Sequence, residues 1–136
     1  MTAARGAFID TNVVVYLLSA DRVKAERAEK LIAGGGMVSV QVLNEFAAVA
    51  RRKAKLDWQD IRDVLTAVRA NCTVAPLTME VHERALKIAE TTNLHIYDAT
   101  IIAAAAENNC KTVYSEDLGH NQVIEGVRIT NPFKAT

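Results

Sequence analysis

Four acidic residues lie far apart in the sequence, at positions from which folding can bring their carboxylates together. They are Asp10, Glu45, Asp98 and Asp117. Asp10 directly follows the apolar run 7–9, and Asp117 follows the run 112–116. Because ligands bind beyond the carboxyl ends of the strands in an open α/β sheet, these two acids are predicted to face one crevice. Crowded carboxylates raise each other's pKa values or bind a cation, and oxygen ligands favour Mg²⁺ or Mn²⁺.

Each acid also has an ordinary structural explanation. Asp10 and Asp98 stand where helix N-caps are common, and Asp117 stands where a turn residue is common. Thr11 and Asn12 are cap residues too, and this surplus suggests another role for Asp10. Glu45 interrupts an apolar helix face, so it either reaches solvent at the edge of that face or has a buried partner. The combination of the four, rather than any single acid, favours a site.

Short apolar runs alternate with amphipathic segments, which predicts an α/β fold. Strands are predicted at 7–9, 37–40, 73–75, 111–115 and 127–129. Helices are predicted over 13–18 with Thr11 or Asn12 as the cap, after Asp21, through 43–50, after Asp57, after Thr78, and from Asp98 to Ala106. This alternation predicts a three-layer α/β/α domain with a central, mainly parallel sheet of four to five strands.

The composition is that of one ordinary globular domain, predicted to span residues 1–136. Lys plus Arg and Asp plus Glu both number 16, so the formal net charge is zero, which argues against a uniformly basic nucleic-acid coat. Cys72 and Cys110 are far apart, so neither a disulfide framework nor a zinc site is expected. The first residues contain no apolar signal segment, and no apolar run approaches the ~18 residues of a membrane span. A cytoplasmic protein without a membrane anchor is the expectation.

Four short motifs carry a resemblance to a known family. They are the segments 8–12, 39–46, 97–99 and 115–118, and a fifth stretch, 122–133, is similar to one branch of the same family. On these motifs the chain resembles the PIN-domain ribonucleases, and most closely the VapC-type toxins of bacterial toxin–antitoxin pairs. Each motif is short, but their order and separation along nearly the whole chain make the resemblance specific. One departure is Asn121, where that branch often has glycine.

The resemblance implies metal-dependent endonucleolytic cleavage of RNA, with one or two Mg²⁺ or Mn²⁺ ions in the site. The family's acidic quartet carries over to Asp10, Glu45, Asp98 and Asp117, and its supporting polar residues carry over to Asn12 and Ser115. Glu116 is added as a further metal contact. The resemblance also implies two protein partners, a cognate antitoxin and a second copy of the chain in a homodimer.

Substrate contacts are predicted from two arginines and a histidine that lie near the motifs. Arg51 and Arg52 belong to a basic run that also contains Lys53 and Lys55, and His120 lies close to Asp117. We therefore predict Arg51, Arg52 and His120 as RNA contacts. The competing explanation for the basic run is that cations at a helix C-terminus complement the helix dipole and remain solvated.

Two other functions compete with cleavage of RNA. An aspartate-based phosphatase also places Asp at the end of its first strand, but it needs a second Asp two residues later, where this chain has Asn12. A module that binds RNA or protein without catalysis would keep the fold but would have no need of the four acids.

Overall fold

The computed structural model describes residues 6–134, which form six strands and six helices. The strands are β1 (Ala7–Ile9), β2 (Met37–Ser39), β3 (Thr73–Ala75), β4 (Thr112–Tyr114), β5 (Val123–Ile124) and β6 (Val127–Thr130). The helices are α1 (Thr11–Val15), α2 (Arg22–Ala33), α3 (Val40–Arg52), α4 (Trp58–Asn71), α5 (Met79–Thr92) and α6 (Ile96–Glu107). A single 3-10 turn (Tyr16–Leu18) continues α1.

The strands form one sheet in the order β3-β2-β1-β4-β6-β5, and β5 alone runs antiparallel to its neighbour. The chain moves outward from β1 through β2 to β3 and then returns to place β4 on the other side of β1. The strand order therefore reverses between β1 and β4, which is where open α/β sheets bind ligands. The register sets Ile9 beside Tyr114, and the Asp10 amide donates to the Tyr114 carbonyl at 3.0 Å.

The strands are short, and those at the centre of the sheet are largely buried, as expected for a parallel sheet covered by helices. Phe8 and Ile9 on β1 and Val113 on β4 are almost completely inaccessible to solvent. Helix α6 is buried from Ala99 to Ala105, and it packs mainly against α5, to which an Arg84–Glu107 ion pair also joins it at 2.8 Å. The predicted α/β class with a mainly parallel sheet flanked by helices is confirmed.

The prediction of four to five strands was wrong, because the described residues contain six. The strand that it lacked is β5, which has only two residues and so shows no alternating pattern. It pairs with β6 through a two-residue turn in which Glu125 and Gly126 both have positive φ angles, 53° and 77°. Such a turn matches the twist of the paired strands, and an Asn or Asp at its first position would have been a stronger sequence signal than Glu125.

Two helix starts also differ from the prediction. Asp10 itself, rather than Thr11 or Asn12, is the N-cap of α1. Helix α6 begins at Ile96 with His95 as its N-cap, so Asp98 lies inside the first turn and does not begin the helix. His95 replaces the expected acid because its Nδ1 atom accepts the Tyr97 amide at 3.1 Å. None of the helices in residues 6–134 is long and apolar enough to cross a membrane.

The predicted caps at Asp21, Asp57 and Thr78 are present, and Asp57 allows a simple test of local stability. Its Oδ1 atom accepts the Asp60 amide at 2.8 Å at the start of α4. Replacing Asp57 by Ala removes this bond, and we expect the free energy of unfolding to fall by about 1 kcal/mol in urea melts. Asp57→Asn keeps an acceptor at the cap and should match the wild type. Equal melts for the Ala and wild-type proteins would contradict this assignment.

Candidate functional site

The four predicted acids line one cavity of about 450 Å³ at the carboxyl ends of β1 and β4. We call it the acid cavity. It is lined by Asp10, Thr11, Asn12, Val15, Tyr16, Glu45, Val49, Lys53, Asp98, Glu116 and Asp117. The acids reach it from the end of β1, from α3, from the first turn of α6 and from the segment after β4. The strand order thus brings the four acids close together in space, although they lie far apart in the sequence.

Asp10 is the most buried of these acids, with only 5% of its surface exposed. Its Oδ1 atom accepts the Thr11 amide at 2.7 Å, while its Oδ2 atom accepts the Ser115 hydroxyl at 2.8 Å and the Asn12 amide group at 3.2 Å. The pKa of Asp10 is raised from 3.8 to about 6, chiefly by burial; the hydrogen bonds from Ser115 and Thr11 oppose this shift, and the charges of Asp98 and Glu45 add to it. Asp10 is therefore both a helix cap and a carboxylate held at the acid cavity.

Asn12 and Ser115 connect the two strand ends around Asp10. The Asn12 Nδ2 atom lies 3.1 Å from the Ser115 hydroxyl and 3.3 Å from Oδ2 of Asp117, besides its contact with Asp10. The Asn12 Oδ1 atom accepts the Glu116 backbone amide at 3.0 Å. Ser115 is fully buried and also accepts the Leu118 amide at 3.4 Å. Both side chains can therefore fix the orientation of Asp10, and Asn12 also contacts Asp117.

Glu45 is half-buried and has two hydrogen-bond partners, which resolves the alternatives left open by the sequence. Its carboxylate accepts the Thr11 hydroxyl at 2.6 Å and the Gln41 amide group at 3.4 Å. Gln41 also donates to the Tyr97 carbonyl at 3.2 Å and so links α3 to α6. Neither Thr11 nor Gln41 was predicted from the sequence as a partner of Glu45. The position of Gln41 one turn before Glu45 on the same helix was an available signal.

Asp98 and Asp117 are more accessible than Asp10, because Asp98 is half-buried and Asp117 is exposed. Burial raises the pKa of Asp98, the charge of Asp117 raises it further, and His95 acts in the opposite direction. The two acids thus stand close enough to repel each other at the open side of the cavity.

Glu116 lines the same cavity, but its carboxylate is already bound by other side chains. It accepts a hydrogen bond from the Tyr16 hydroxyl and forms an ion pair with Lys24 at 2.9 Å. The bond from Tyr16, followed by that from Lys24, lowers the pKa of Glu116. Tyr16 is in turn packed edge-on against Phe133 at a centroid distance of 4.6 Å. These contacts make Glu116 less available to a metal than the four other acids.

The three predicted substrate contacts lie outside the acid cavity. Arg51 donates to the Leu56 carbonyl at 3.0 Å and lies over the Trp58 ring, which is 53% exposed. His120 accepts the Asn131 amide at 3.0 Å, and Arg52 is exposed at the end of α3. The basic run instead contributes Lys53 to the cavity, a member of that run which is not among the three predicted contacts.

The donor set of the acid cavity fits a hard divalent cation. It consists of carboxylate, amide and hydroxyl oxygens, and the buried Asp10 carboxylate lies near other acids rather than near a cation. Within residues 6–134, no three Asp, Glu, His or Cys side chains are arranged to hold one ion between them. Mg²⁺ commonly keeps several waters and uses only one or two protein carboxylates together with substrate phosphates, so the arrangement fits that mode of binding.

Ser115 provides a test of the hydrogen bonds around Asp10. Ser115→Ala removes a donor to a buried carboxylate, and we expect a loss of roughly 1–3 kcal/mol in the free energy of unfolding at pH 8. The loss should be smaller at pH 5, where Asp10, with a pKa of about 6, is mostly protonated. Urea melts at both pH values measure this. Ser39→Ala is the control, since the Ser39 hydroxyl bonds only to the Val42 amide. If the loss of unfolding free energy in Ser115→Ala were the same at pH 5 and pH 8, the assignment would be contradicted.

The sequence profile of the PIN domain matches residues 7–125. No curated protein matches the sequence. Several solved structures share the fold, and the three that follow are all toxins or toxin–antitoxin complexes.

A toxin–antitoxin complex from Klebsiella pneumoniae is 17% identical with a TM-score of 0.72, over 95% of this chain and 99% of that one. VapC20 from Mycobacterium tuberculosis, a toxin that cleaves the sarcin–ricin loop, is 21% identical with a TM-score of 0.64, over 82% and 89% of the two chains. VapBC2 from Rickettsia felis, bound to DNA from its promoter, is 18% identical with a TM-score of 0.63, over 92% and 97%. At these identities the likeness concerns the fold.

Proposed function

The chain belongs to the PIN domain family, and on this basis we propose that it is an endoribonuclease that hydrolyses phosphodiester bonds of RNA with Mg²⁺ or Mn²⁺. The observation that carries the proposal is the convergence of Asp10, Glu45, Asp98 and Asp117 on one cavity at the reversal of strand order. A cluster of acids alone repels an anionic phosphodiester. It becomes suitable for cleaving one only when a cation balances its charge.

The proposed roles follow from where each side chain stands. Asp10, Asp98 and Asp117 would hold the principal ion, some of them directly and the others through waters. Glu45, fixed by Thr11 and Gln41, would orient the attacking water or hold a second ion. When bound, the ion supplies positive charge at the phosphate and makes the attacking water more acidic.

The supporting side chains act by orientation. Asn12 and Ser115 donate to one Asp10 oxygen, Oδ2, while the Thr11 amide occupies the other, Oδ1. Fixing the carboxylate in this way matters because ligands that are held in place by their own hydrogen bonds bind metal more tightly. No protein nucleophile is needed, since the attacking group is water.

We also propose the biological setting that the relatives suggest. VapC20 is a toxin that cleaves the sarcin–ricin loop, and the Klebsiella pneumoniae and Rickettsia felis structures are toxin–antitoxin assemblies. The proposal for this chain is a single domain over residues 1–136 that acts as the toxin of such a pair. It would be held inactive by a cognate antitoxin, would form a homodimer and would act on RNA in the cytoplasm.

The test is an RNA cleavage assay with purified protein, using structured and unstructured RNAs. Cleavage is expected with Mg²⁺ or Mn²⁺, should stop with EDTA, and should return when excess metal is added. Activity that persists in EDTA would contradict the proposed metal dependence. The absence of cleavage of every RNA tested, with a folded protein and added metal, would contradict the assignment as a ribonuclease.

A further inference from the structure

Lys53 is the single cationic side chain among the residues that line the acid cavity. It is exposed and lies at the end of α3, as the residue that follows Arg52. Within residues 6–134 the ion pairs are Lys24–Glu116 and Arg84–Glu107, so no acidic partner holds Lys53. A positive charge that is exposed, unpaired and placed at the edge of an acidic cavity is available to an anionic ligand.

A second cavity of about 310 Å³ adjoins the acid cavity, and Lys53 lines both. We call it the side cavity. It is lined by Val15, Tyr16, Leu18, Ser19, Val49, Lys53 and Ala54, and it shares four of these residues with the acid cavity. None of its lining residues is acidic, and most are apolar. The charge of the surface therefore changes at Lys53, from the acids on one side to an apolar surface on the other.

We propose that Lys53 and the side cavity form a binding subsite for the nucleotide next to the scissile phosphate of single-stranded RNA. Lys53 contacts the neighbouring phosphate, and the apolar lining receives the base. The RNA chain has to extend out of the acid cavity, because the acids there would repel further phosphates. Lys53 lies at the edge of the cavity, where its positive charge attracts the next phosphate. This subsite rests on the proposed ribonuclease function.

The side cavity offers a base an apolar surface that contains one aromatic ring. Tyr16 lines it, and the Tyr16 hydroxyl is held by Glu116 and Lys24. A fixed aromatic ring and neighbouring Val15 and Leu18 can contact a base of any identity, as occurs in proteins that bind single strands without sequence preference. The subsite is therefore expected to select for single-stranded RNA rather than for a particular base.

The competing explanation is that Lys53 only complements the dipole of α3, as the last-turn residues Arg51 and Arg52 do. The two explanations predict different measurements. A cation that acts only on the dipole affects protein stability and leaves RNA affinity unchanged. A phosphate contact weakens RNA binding and lowers its dependence on salt.

The experiment measures binding of a fluorescent single-stranded RNA by anisotropy, in a protein that carries Asp10→Asn to prevent cleavage. Adding Lys53→Gln should weaken binding roughly three- to fivefold, since an exposed charge contact is modest. The slope of log Kd against log salt should fall by about 0.7, the value for one phosphate contact on a single strand. Arg69→Gln is the matched control, because it removes one charge from the last turn of α4 and leaves both cavities unchanged.

A second variant tests the apolar part of the subsite without changing charge. Ala54→Phe should obstruct the side cavity and weaken binding while the salt slope stays constant, whereas Ala70→Phe on the exposed face of α4 should have no effect. In the otherwise wild-type protein, Lys53→Gln and Ala54→Phe should raise KM more than they lower kcat. Urea melts should confirm that each variant, including the Arg52→Gln variant used for comparison, is folded.

The outcomes separate the subsite from the proposed function. If the wild type cleaves RNA but Lys53→Gln binds as Arg69→Gln does, the subsite is wrong and the ribonuclease assignment stands. If Arg52→Gln weakens binding as much as Lys53→Gln, the contact belongs to the basic run as a whole, and the subsite is again wrong. If the wild type cleaves no RNA, the proposed function fails first.

Discussion

Asp10→Asn is expected to lower the rate of RNA cleavage by roughly a thousandfold or more while the protein stays folded. Loss of a residue that merely supports a metal ligand usually costs about 10- to 100-fold, so loss of a proposed ligand should cost more. The substitution keeps the size of the side chain and its ability to cap α1, since Asn and Asp are comparable caps. It removes the negative charge that would attract the metal. Single-turnover cleavage with Mg²⁺ in excess measures the loss.

The matched control for this prediction is Asp21→Asn. Asp21 is the N-cap of α2, where its Oδ1 atom accepts the amides of Val23 and Lys24, and it does not line the acid cavity. The two variants thus make the same chemical change at two helix caps. Asp21→Asn should cleave at the wild-type rate. If Asp10→Asn were instead as active as Asp21→Asn, Asp10 would be a structural cap alone. If Asp10→Asn were unfolded at room temperature, the charge of Asp10 would be needed for the fold itself, which would also contradict the prediction.

The metal-free protein is expected to lose stability as the pH rises from about 4 to about 6. Asp10 has a pKa of about 6 in the folded state against an ordinary value of 3.8, so the folded protein binds its proton more tightly than the unfolded chain does. Between these pH values the folded state holds more protons, and the free energy of unfolding therefore falls with rising pH. A shift of this size corresponds to roughly 3 kcal/mol, fully expressed above the folded pKa and absent below the unfolded one.

Other acids modify this dependence without reversing its expected direction. The pKa of Asp98 is also raised, so it adds to the loss with rising pH. The pKa of Glu116 is lowered, so its contribution is present at higher pH and is lost on acidification. Glu116 is partly exposed, and solvent screening makes its contribution to stability smaller than that of buried Asp10.

Urea melts in EDTA between pH 4 and pH 8 measure this dependence, and Asp10→Asn should make it nearly flat. An asparagine at position 10 has one acceptor oxygen instead of two, so it gives up part of the hydrogen bonding from Asn12 and Ser115. We therefore expect it to stabilise the protein at pH 8 by about 1–2 kcal/mol, less than the full shift. Asp21→Asn should keep the wild-type slope. A wild-type stability that rises steadily from pH 4 to pH 8 would contradict this account.

Added Mg²⁺ should oppose the loss at high pH. A cation that binds only the folded state stabilises it, and it binds more tightly when Asp10 is deprotonated. The stabilisation by Mg²⁺ should therefore be larger at pH 8 than at pH 5, and smaller in Asp10→Asn than in the wild type.

The elements that depend on neighbouring residues were largely predictable from the sequence. The caps at Asp21, Asp57 and Thr78 stand where predicted, because a cap bonds to amides only two or three residues away. The strands β1 to β4 and β6 are formed by short apolar runs, and helices cover the sheet that they build. The positions of Asp10, Glu45 and Asp117 relative to these elements were therefore available, and so was the expectation that Asp10 and Asp117 meet. Asp98 was placed at the start of α6, although it lies inside the first turn.

The hydrogen bonds between residues far apart in the sequence could not be predicted in the same way. Tyr16 binds Glu116, 100 residues away, and Thr11 binds Glu45, 34 residues away. Neither pair has a spacing that local structure would explain, since each depends on which strands become neighbours and how the helices cross them. The two-residue strand β5 was missed for a related reason, because it is stable only through its pairing with β6.

What the sequence by itself determined was the order of elements, the acids placed at their ends and the resemblance that these motifs carry, since all three depend on residue type and local spacing. The tertiary structure alone decided how far each side chain is buried and what it contacts. It placed Lys53 rather than Arg51 at the acid cavity, bound Glu116 to Tyr16 and Lys24, and buried Asp10. The physical reason is that burial and long-range pairing arise only when the sheet brings β1 and β4 together.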